Sequence, residues 1–261
     1  MNNLDKLDKI LTDKTSGSEQ ILSGLNNYLL EIIDNPVKIK SDLKEIKDNL
    51  FHFAAVENYI NSFEQALKSN QNEAKKFLKL FDKNSQNKFL RIYKNAGPFL
   101  ENIRTVLTLS NSKTLLEIFM LWAKDNKRLH VIICESRPKF EGRIFAKHLL
   151  KENIKTTIIT DAMISLYIPR ADAVILGADA ILKNGNIINK TGSLAAAILC
   201  KYYKKPCIVM ASKDKFSNKI RFRQKEQEDG EIWEFHDTNL NVSNYYFEEV
   251  PNNLITNIFS G

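Results

Sequence analysis

Residues 174–193 read VILGADAILKNGNIINKTGS. An apolar, strand-like run, Val174–Leu176, stops at Gly177 and at once presents a carboxylate, Asp179. A glycine turn at Asn184-Gly185-Asn186 follows, then Asn189-Lys190, then Gly192-Ser193 where a helix is expected to open. A carboxylate, an amide and an ammonium crowded around glycines fit two descriptions. One is a polar site at the end of a sheet; the other is the surface of a hairpin.

The flanking sequence repeats the same rhythm. Short apolar runs at Thr105–Leu109, Val131–Cys134, Thr156–Thr160, Ala173–Gly177 and Cys207–Ala211 alternate with helical stretches. Those stretches fall near Ser112–Asp125, Gly142–Glu152, Ala162–Tyr167 and Gly192–Tyr203. Strand, helix, strand in this order predicts an α/β fold, Rossmann-like, with a mostly parallel sheet covered by helices on both faces. In such sheets ligands bind just beyond the carboxyl ends of the strands. The five ends read Ser110-Asn111-Ser112-Lys113, Cys134-Glu135-Ser136-Arg137-Pro138, Thr160-Asp161, Gly177-Ala178-Asp179 and Ser212-Lys213. Helix capping explains any one of them, because Ser, Asp and Asn are the usual caps. All five together, with Asn189-Lys190, are better explained by a shared polar pocket whose helix N-termini favour an anion. Neither a G-x-G-x-x-G turn nor a Walker loop is present, so neither NAD nor ATP is implied.

The first hundred residues are different in kind. Leu43-Ile46-Leu50-Phe53 and Phe63-Leu67 step by three and four, the spacing of one helix face. A break is expected at Asp34-Asn35-Pro36, and Thr15-Ser16-Gly17-Ser18 reads as a loop opening a helix under a hydroxyl cap. Character changes after Asn95-Ala96-Gly97-Pro98, which predicts a helical N-terminal domain over 1–97 and the α/β domain over 98–261. The aromatic stripe Phe51, Phe53, Tyr59 and Phe63 reads as helix core, and Trp122 as packing a helix on the sheet. Arg221-Phe222-Arg223-Gln224-Lys225 reads as a solvated loop, because Glu226, Glu228 and Asp229 follow it.

With 261 residues, 43% hydrophobic and 26% charged, the chain has an ordinary globular composition. Its net charge of +7 arises from 38 basic residues against 31 acidic ones, a mixed surface rather than a nucleic-acid-binding arm. Three cysteines, Cys134, Cys200 and Cys207, are an odd number and two lie in apolar runs, so no disulfide framework is expected. No zinc spacing, signal-type leader or bilayer-length apolar run is visible, which predicts a cytoplasmic protein without metal, cofactor or membrane partner.

Three segments then carry a family likeness: ICESRPKFEGRIFAKHL (133–149), TTIITDAMI (156–164) and ILGADAILKNGNIINKTGSLAAAILCKYYKKPCIV (175–209). With the tail NYYFEEVPNNLIT (244–256), they resemble the family joining the initiation factor 2B alpha, beta and delta subunits to two isomerases. Those isomerases act on methylthioribose-1-phosphate and ribose-1,5-bisphosphate. The likeness covers about residues 100–256, with a fainter echo at Thr15–Leu22. It implies a helical domain packed on a Rossmann-like one, a homodimer or higher homo-oligomer, and a cleft for a phosphorylated sugar or nucleotide. It also implies that Asp179 is half of a cysteine–aspartate catalytic pair and that Asn189 and Lys190 contact the ligand. Glu135 and Arg137 would flank the pocket.

Two departures bear on activity. Ser110 stands where the isomerases carry their cysteine, and Thr15-Ser16-Gly17-Ser18 stands where they carry an arginine–glycine segment. A hydroxyl is far less acidic than a thiol and needs its own base. Cys134, at the neighbouring strand end, is a weak substitute, since a cysteine after Val131-Ile132-Ile133 is usually buried. The leading expectation is an initiation factor 2B-like binding protein whose pocket uses Ser16, Gly17, Ser110–Lys113, Glu135, Arg137, Asp161, Asn189 and Lys190. The alternative is an aldose–ketose isomerase of a ribose-1-phosphate-type substrate. A nucleic-acid or translation-factor partner is the weakest option.

Overall fold

The computed structural model describes residues 4–14 and 16–261. It opens with α1 (Leu4–Leu11), α2 (Ser18–Ile32), α3 (Pro36–Asn49), α4 (Ala54–Ser69) and the long α5 (Gln71–Leu100). The break at Asp34–Pro36 is made as the sequence dictates. Asn35 accepts the N–H of Lys38 at 3.1 Å, and Pro36 takes the first helical position, where its missing N–H costs nothing. The start of α2 differs from expectation. Gly17, not a hydroxyl residue, is the N-cap, and Gln20 Oε1 accepts the N–H of Gly17 at 3.0 Å. Thr15 lies outside the described residues.

The α/β half follows as β1 (Thr105–Thr108), α6 (Lys113–Asp125), β2 (His130–Cys134), α7 (Glu141–Lys151), β3 (Lys155–Ile159), α8 (Ile164–Tyr167) and β4 (Ala173–Leu176). Then come β5 (Ala180–Ile181), β6 (Ile187–Lys190), α9 (Ser193–Tyr202), β7 (Cys207–Met210), β8 (Phe247–Val250) and β9 (Asn257–Phe259). Among the described residues the main sheet is six-stranded, in the order β3-β2-β1-β4-β7-β9, and its pairs are parallel. The chain therefore winds outward on one side of β1, then returns to start again at β4. The crevice between β1 and β4 is the topological switch point, where doubly wound sheets bind their ligands. A small antiparallel sheet, β5-β6-β8, stands above it. The stretch 180–190 is thus a hairpin, with Gly185 at φ +82° supplying the left-handed turn residue, and it also delivers Asn189 and Lys190 to the crevice.

Two large cores meet along α5. Ala74 and Leu78, in its first half, pack with Leu25, Leu29, Ile46, Ile60 and Phe63 of the preceding helices. Ile92, Ala96 and Leu100, in its second half, pack with Val106, Phe119, Trp122 and Ile208 on the sheet. The helix runs unbroken through Asn95–Pro98, so the boundary expected between residues 97 and 98 falls inside an element the two cores share.

Candidate functional site

The crevice between β1 and β4 opens into a cavity of about 140 Å³. Its floor is where the two strand ends meet. Gly177 keeps this floor open: a Cβ there would lie 3.0 Å from the Ser112 hydroxyl and push it aside. Leaving β1, the chain passes through Ser110 at φ +66°, a left-handed conformation rare for a residue with a side chain. The N–H of Ser110 is held by Ser136 Oγ at 2.8 Å. The chain then enters α6, where Ser112 Oγ accepts the N–H of Leu115 at 3.3 Å. The first amides of α6 have no intrahelical acceptor and border the cavity, as do those of α2 beside Ser16, Gly17 and Ser18. The start of α4 arrives from a third direction, with the Ala54 N–H on the carbonyl of Asp179 at 3.2 Å. Converging helix N-termini make the cavity attractive to an anion.

Charge alternates along one wall. Lys190 is 4% exposed and pairs with the equally buried Glu141, while its ammonium stands 4.2 Å from the Tyr246 ring centre. Lys215, also buried, hydrogen-bonds Ser18 and lies 3.9 Å from Asp179. Burial raises the Asp179 carboxyl above its ordinary value, with Lys215 and then Lys190 partly offsetting it. Burial raises Glu141 likewise against the pull of Lys190. Among the described residues, Glu141 Oε2 and Asn111 Oδ1 are buried acceptors without a donor. His52, in the wall beside Phe53 and Phe247, is held neutral by burial and then by Lys225, which bring it down to about 4. The rim is tied by Glu231. It accepts from Lys14 at 2.7 Å, Lys139 at 3.3 Å, Asn244 at 3.1 Å and the Tyr246 hydroxyl. Burial works against its charge, yet these donors hold the carboxyl down at about 2.

Of the residues expected from sequence, Ser16, Gly17, Ser110, Asn111, Ser112, Lys113, Asp179, Asn189 and Lys190 line this cavity. Four do not. Asp161, at the end of β3, accepts the N–H groups of Ser136 and Arg137 at 2.8 and 2.7 Å, which makes it a loop clamp. Glu135 is occupied by Arg143 at 2.5 Å, and Arg137 points outward over Phe140 to the carbonyl of Ile232. Cys134 is 1% exposed, and burial followed by the charge of Asp161 pushes its thiol up to about 12. The strand order explains all four: β2 and β3 lie on the far side of β1 from the switch point. Glu141, Lys215, His52, Lys14 and Tyr246 were not foreseen. Their only signal was proximity to motifs, as in EGR after ESRPKF and in SKDKF after the fifth strand.

The chain matches the model of the initiation factor 2 subunit family over residues 5–261. It belongs to that family. A ribose 1,5-bisphosphate isomerase of Archaeoglobus fulgidus is 37% identical over 118 residues, 45% of this chain and 38% of that protein. The alpha subunit of translation initiation factor eIF2B of Dictyostelium discoideum is 35% identical over 138 residues, 53% of this chain and 43% of that protein. The chain thus spans less than half the length of these curated relatives. The eIF-2B structure of Pyrococcus horikoshii superposes with TM-score 0.84 at 21% identity, covering 98% of this chain and 94% of the other. A 5-methylthioribose 1-phosphate isomerase of the same organism superposes at 0.79 with 17% identity, covering 99% and 82%. The fold is therefore shared by both branches. Among the described residues, no His/Cys/Asp/Glu group could hold a metal, and no helix is long and apolar enough to cross a membrane.

Proposed function

We propose that the chain is an initiation factor 2B-like protein that binds a phosphorylated sugar or nucleotide in the cavity between β1 and β4. The carrying observation is the convergence of the α2 and α6 N-termini with Lys190 and Asn189 at the switch point. The amides and ammoniums supply the attraction for a phosphate. Buried acceptors on Asn111 and Glu141 supply partners for ligand hydroxyls. Thiol-dependent isomerisation is outside this reading, because position 110 is a serine and Cys134 is sealed in the core. Calorimetric titration with ribose 1,5-bisphosphate, methylthioribose 1-phosphate and AMP is the test. Saturable 1:1 heat from at least one of them is expected, and no heat from any of the three removes the reading.

The protein is further proposed to act in the cytoplasm as a homodimer or higher homo-oligomer through its sheet half. Leu166 on α8 with Ile198 and Tyr202 on α9 leave an apolar face outside, 50–76% exposed. Sedimentation equilibrium giving a monomer at all concentrations would contradict this. A translation-factor or RNA partner rests on the family and the net charge of +7. RNA binding that is absent, or indifferent to salt, removes its electrostatic part.

A further inference from the structure

The parallel sheet has a second edge, opposite the cavity, where its strands begin. Three loops reach it as KDNKR (124–128) before β2, KENIK (151–155) into β3 and KYYKK (201–205) before β7. Together they hold eight cations and two carboxylates, six positive charges against a net +7 for the whole chain. Along the sequence these look like an ordinary lysine-rich surface; the strand order gathers them on one edge. We propose that this edge binds the phosphate backbone of single-stranded RNA. It gives the RNA partner of the previous subsection a place on the molecule, rests on that reading, and is independent of the cavity.

Three observations carry it. First, none of the eight cations has an ion-pair partner among the described residues, whereas paired cations are common elsewhere, from Lys6 with Glu31 to Lys219 with Glu57. The acids nearby are engaged or offset. Asp125 accepts the Tyr93 hydroxyl at 2.7 Å, and Asp172, before β4, accepts the amides of Arg104 and Thr105 at 2.9 and 2.8 Å. Glu101 and Glu152 remain exposed, and Arg104 and Arg170 on the same edge offset them.

Second, helix ends account for only part of the charge. Lys124, Lys151 and Lys201 stand in the last turns of α6, α7 and α9, where the helix dipole favours a cation. Lys127, Arg128, Lys155, Lys204 and Lys205 lie beyond those ends and have no such reason. Lys204 takes the left-handed position that closes α9, at φ +54°, with the Lys205 N–H on the Cys200 carbonyl at 2.8 Å. The same closure of α7 uses Asn153, a residue that tolerates it. A lysine in a backbone conformation that glycine or asparagine holds more easily points to a use for its side chain. Third, the composition selects the partner. Seven of the eight are lysines, point charges that suit phosphates and are depleted at protein–protein interfaces. Tyr202 belongs to the apolar face assigned above to a second copy of the chain; Tyr203, 37% exposed beside Lys204, leaves a ring on which a base can stack. Neighbouring strands lie about 4.8 Å apart, so the edge from β3 to β7 spans about 19 Å. A stacked strand places a phosphate about every 3.4 Å, which sets about five of them along that edge.

The test is fluorescence anisotropy of a labelled oligouridine of about 20 nucleotides titrated with the full chain. Affinity should fall about 100-fold between about 50 and 200 mM salt, the dependence of about five phosphates on a single strand. Lys127→Gln, Arg128→Gln, Lys204→Asn and Lys205→Gln combined should weaken binding at least about 30-fold at about 50 mM salt. Lys6→Gln, Lys47→Gln, Lys75→Gln and Lys76→Gln combined remove the same charge from the helical half and should change it less than about threefold. Lys204→Asn alone, which relieves the left-handed backbone, should raise Tm while weakening RNA binding, opposite signs that a structural lysine would not give. An edge variant that binds like wild type overturns the proposal, as does equal loss in the two quadruple variants, which would make net charge the whole effect. Tighter binding of phosphatidylserine vesicles or of polyglutamate than of the RNA overturns it in favour of a membrane or an acidic protein. No RNA binding at about 50 mM salt overturns it together with the RNA reading, while sugar-phosphate titration of the same sample reports on the cavity separately.

Discussion

Strands β1 and β2 are parallel neighbours in register from Thr105 opposite His130 onward, and each ends in a serine-containing turn with a left-handed serine. Their ends nevertheless do different work. The end of β1 faces the switch point, so Ser110 to Lys113 border the cavity with helix amides left open. The end of β2 is turned away from the cavity, touching the end of β1 only where Ser136 Oγ accepts the N–H of Ser110 at 2.8 Å. Asp161 clamps two of its amides, Ser136 bonds back to the carbonyl of Cys134 at 3.1 Å, and α7 begins hard against it. The same local geometry becomes a site or a strut according to which side of the sheet's reversal it occupies.

The comparison breaks most violently at Gly142. A Cβ there would stand 1.8 Å from the Cys134 carbonyl oxygen, a backbone atom that cannot turn aside. Gly142→Ala should cost about 3 kcal/mol or more, read as a fall in Tm of about 6–12 °C or loss of soluble protein. Asp161→Asn is the next largest. It removes one of two charge-assisted bonds and should cost about 1.5–3 kcal/mol in denaturant titration, with phosphosugar affinity changed by less than about threefold, because Asp161 reaches the cavity only through the Ser136–Ser110 hydrogen bond. Loss of affinity in a folded Asp161→Asn would mean the two strand ends are not independent.

Across the crevice from β1, Asp179→Asn should alter stability in a pH-dependent way. Burial raises the carboxyl in the folded state, so the folded protein holds that proton more tightly than the unfolded chain does. Stability is therefore lost as pH rises from the ordinary aspartate value through the raised one, and stays lost above it. The asparagine variant lacks that loss. Its stability relative to wild type should grow as pH rises above the ordinary aspartate value of about 3.8 and then level off, as urea titrations at each pH would record. The smallest effect is a labelling contrast. Native protein should give essentially no reaction with a thiol reagent at pH 8, since the three cysteines are buried and the Cys134 thiol is pushed up to about 12. Ser110→Cys should add one fast-reacting thiol at little cost in Tm. Rapid reaction of Cys134 itself would erase the distinction between the two ends.

Much of this was legible in the residues. Runs such as Val131–Cys134 and Val174–Leu176 are strands because a sheet covered on both faces needs apolar side chains on both faces, and each run stops at a polar cap. The sixth strand, Asn257–Phe259, was missed because three residues carry no period, and β5, β6 and β8 are too short or too mixed to declare themselves. Of the cavity lining, Ser110–Lys113 and Asp179 were legible because they follow the strands that meet at the switch point, and Asn189 and Lys190 because they follow a glycine turn within the motif. Glu135, Arg137 and Asp161 were placed with them because sequence counts strand ends without ordering them in space. Glu141 and Lys215 escaped for the converse reason: a glutamate in a first helical turn and a lysine after a strand look like capping and solvation. Phe53, read with the aromatic stripe, is wall as well as core, and the unforeseen His52 stands beside it.

The proposed function rests on the end of β1 holding phosphate where the sheet reverses toward β4. A crystal structure of the protein grown with ribose 1,5-bisphosphate tests it most directly. A phosphate is expected at the N-terminus of α6, within hydrogen-bond reach of the amides following Ser110 and of the Lys190 side of the cavity. A bound sugar phosphate resting instead against Arg137 and Glu135, at the end of β2, would contradict it.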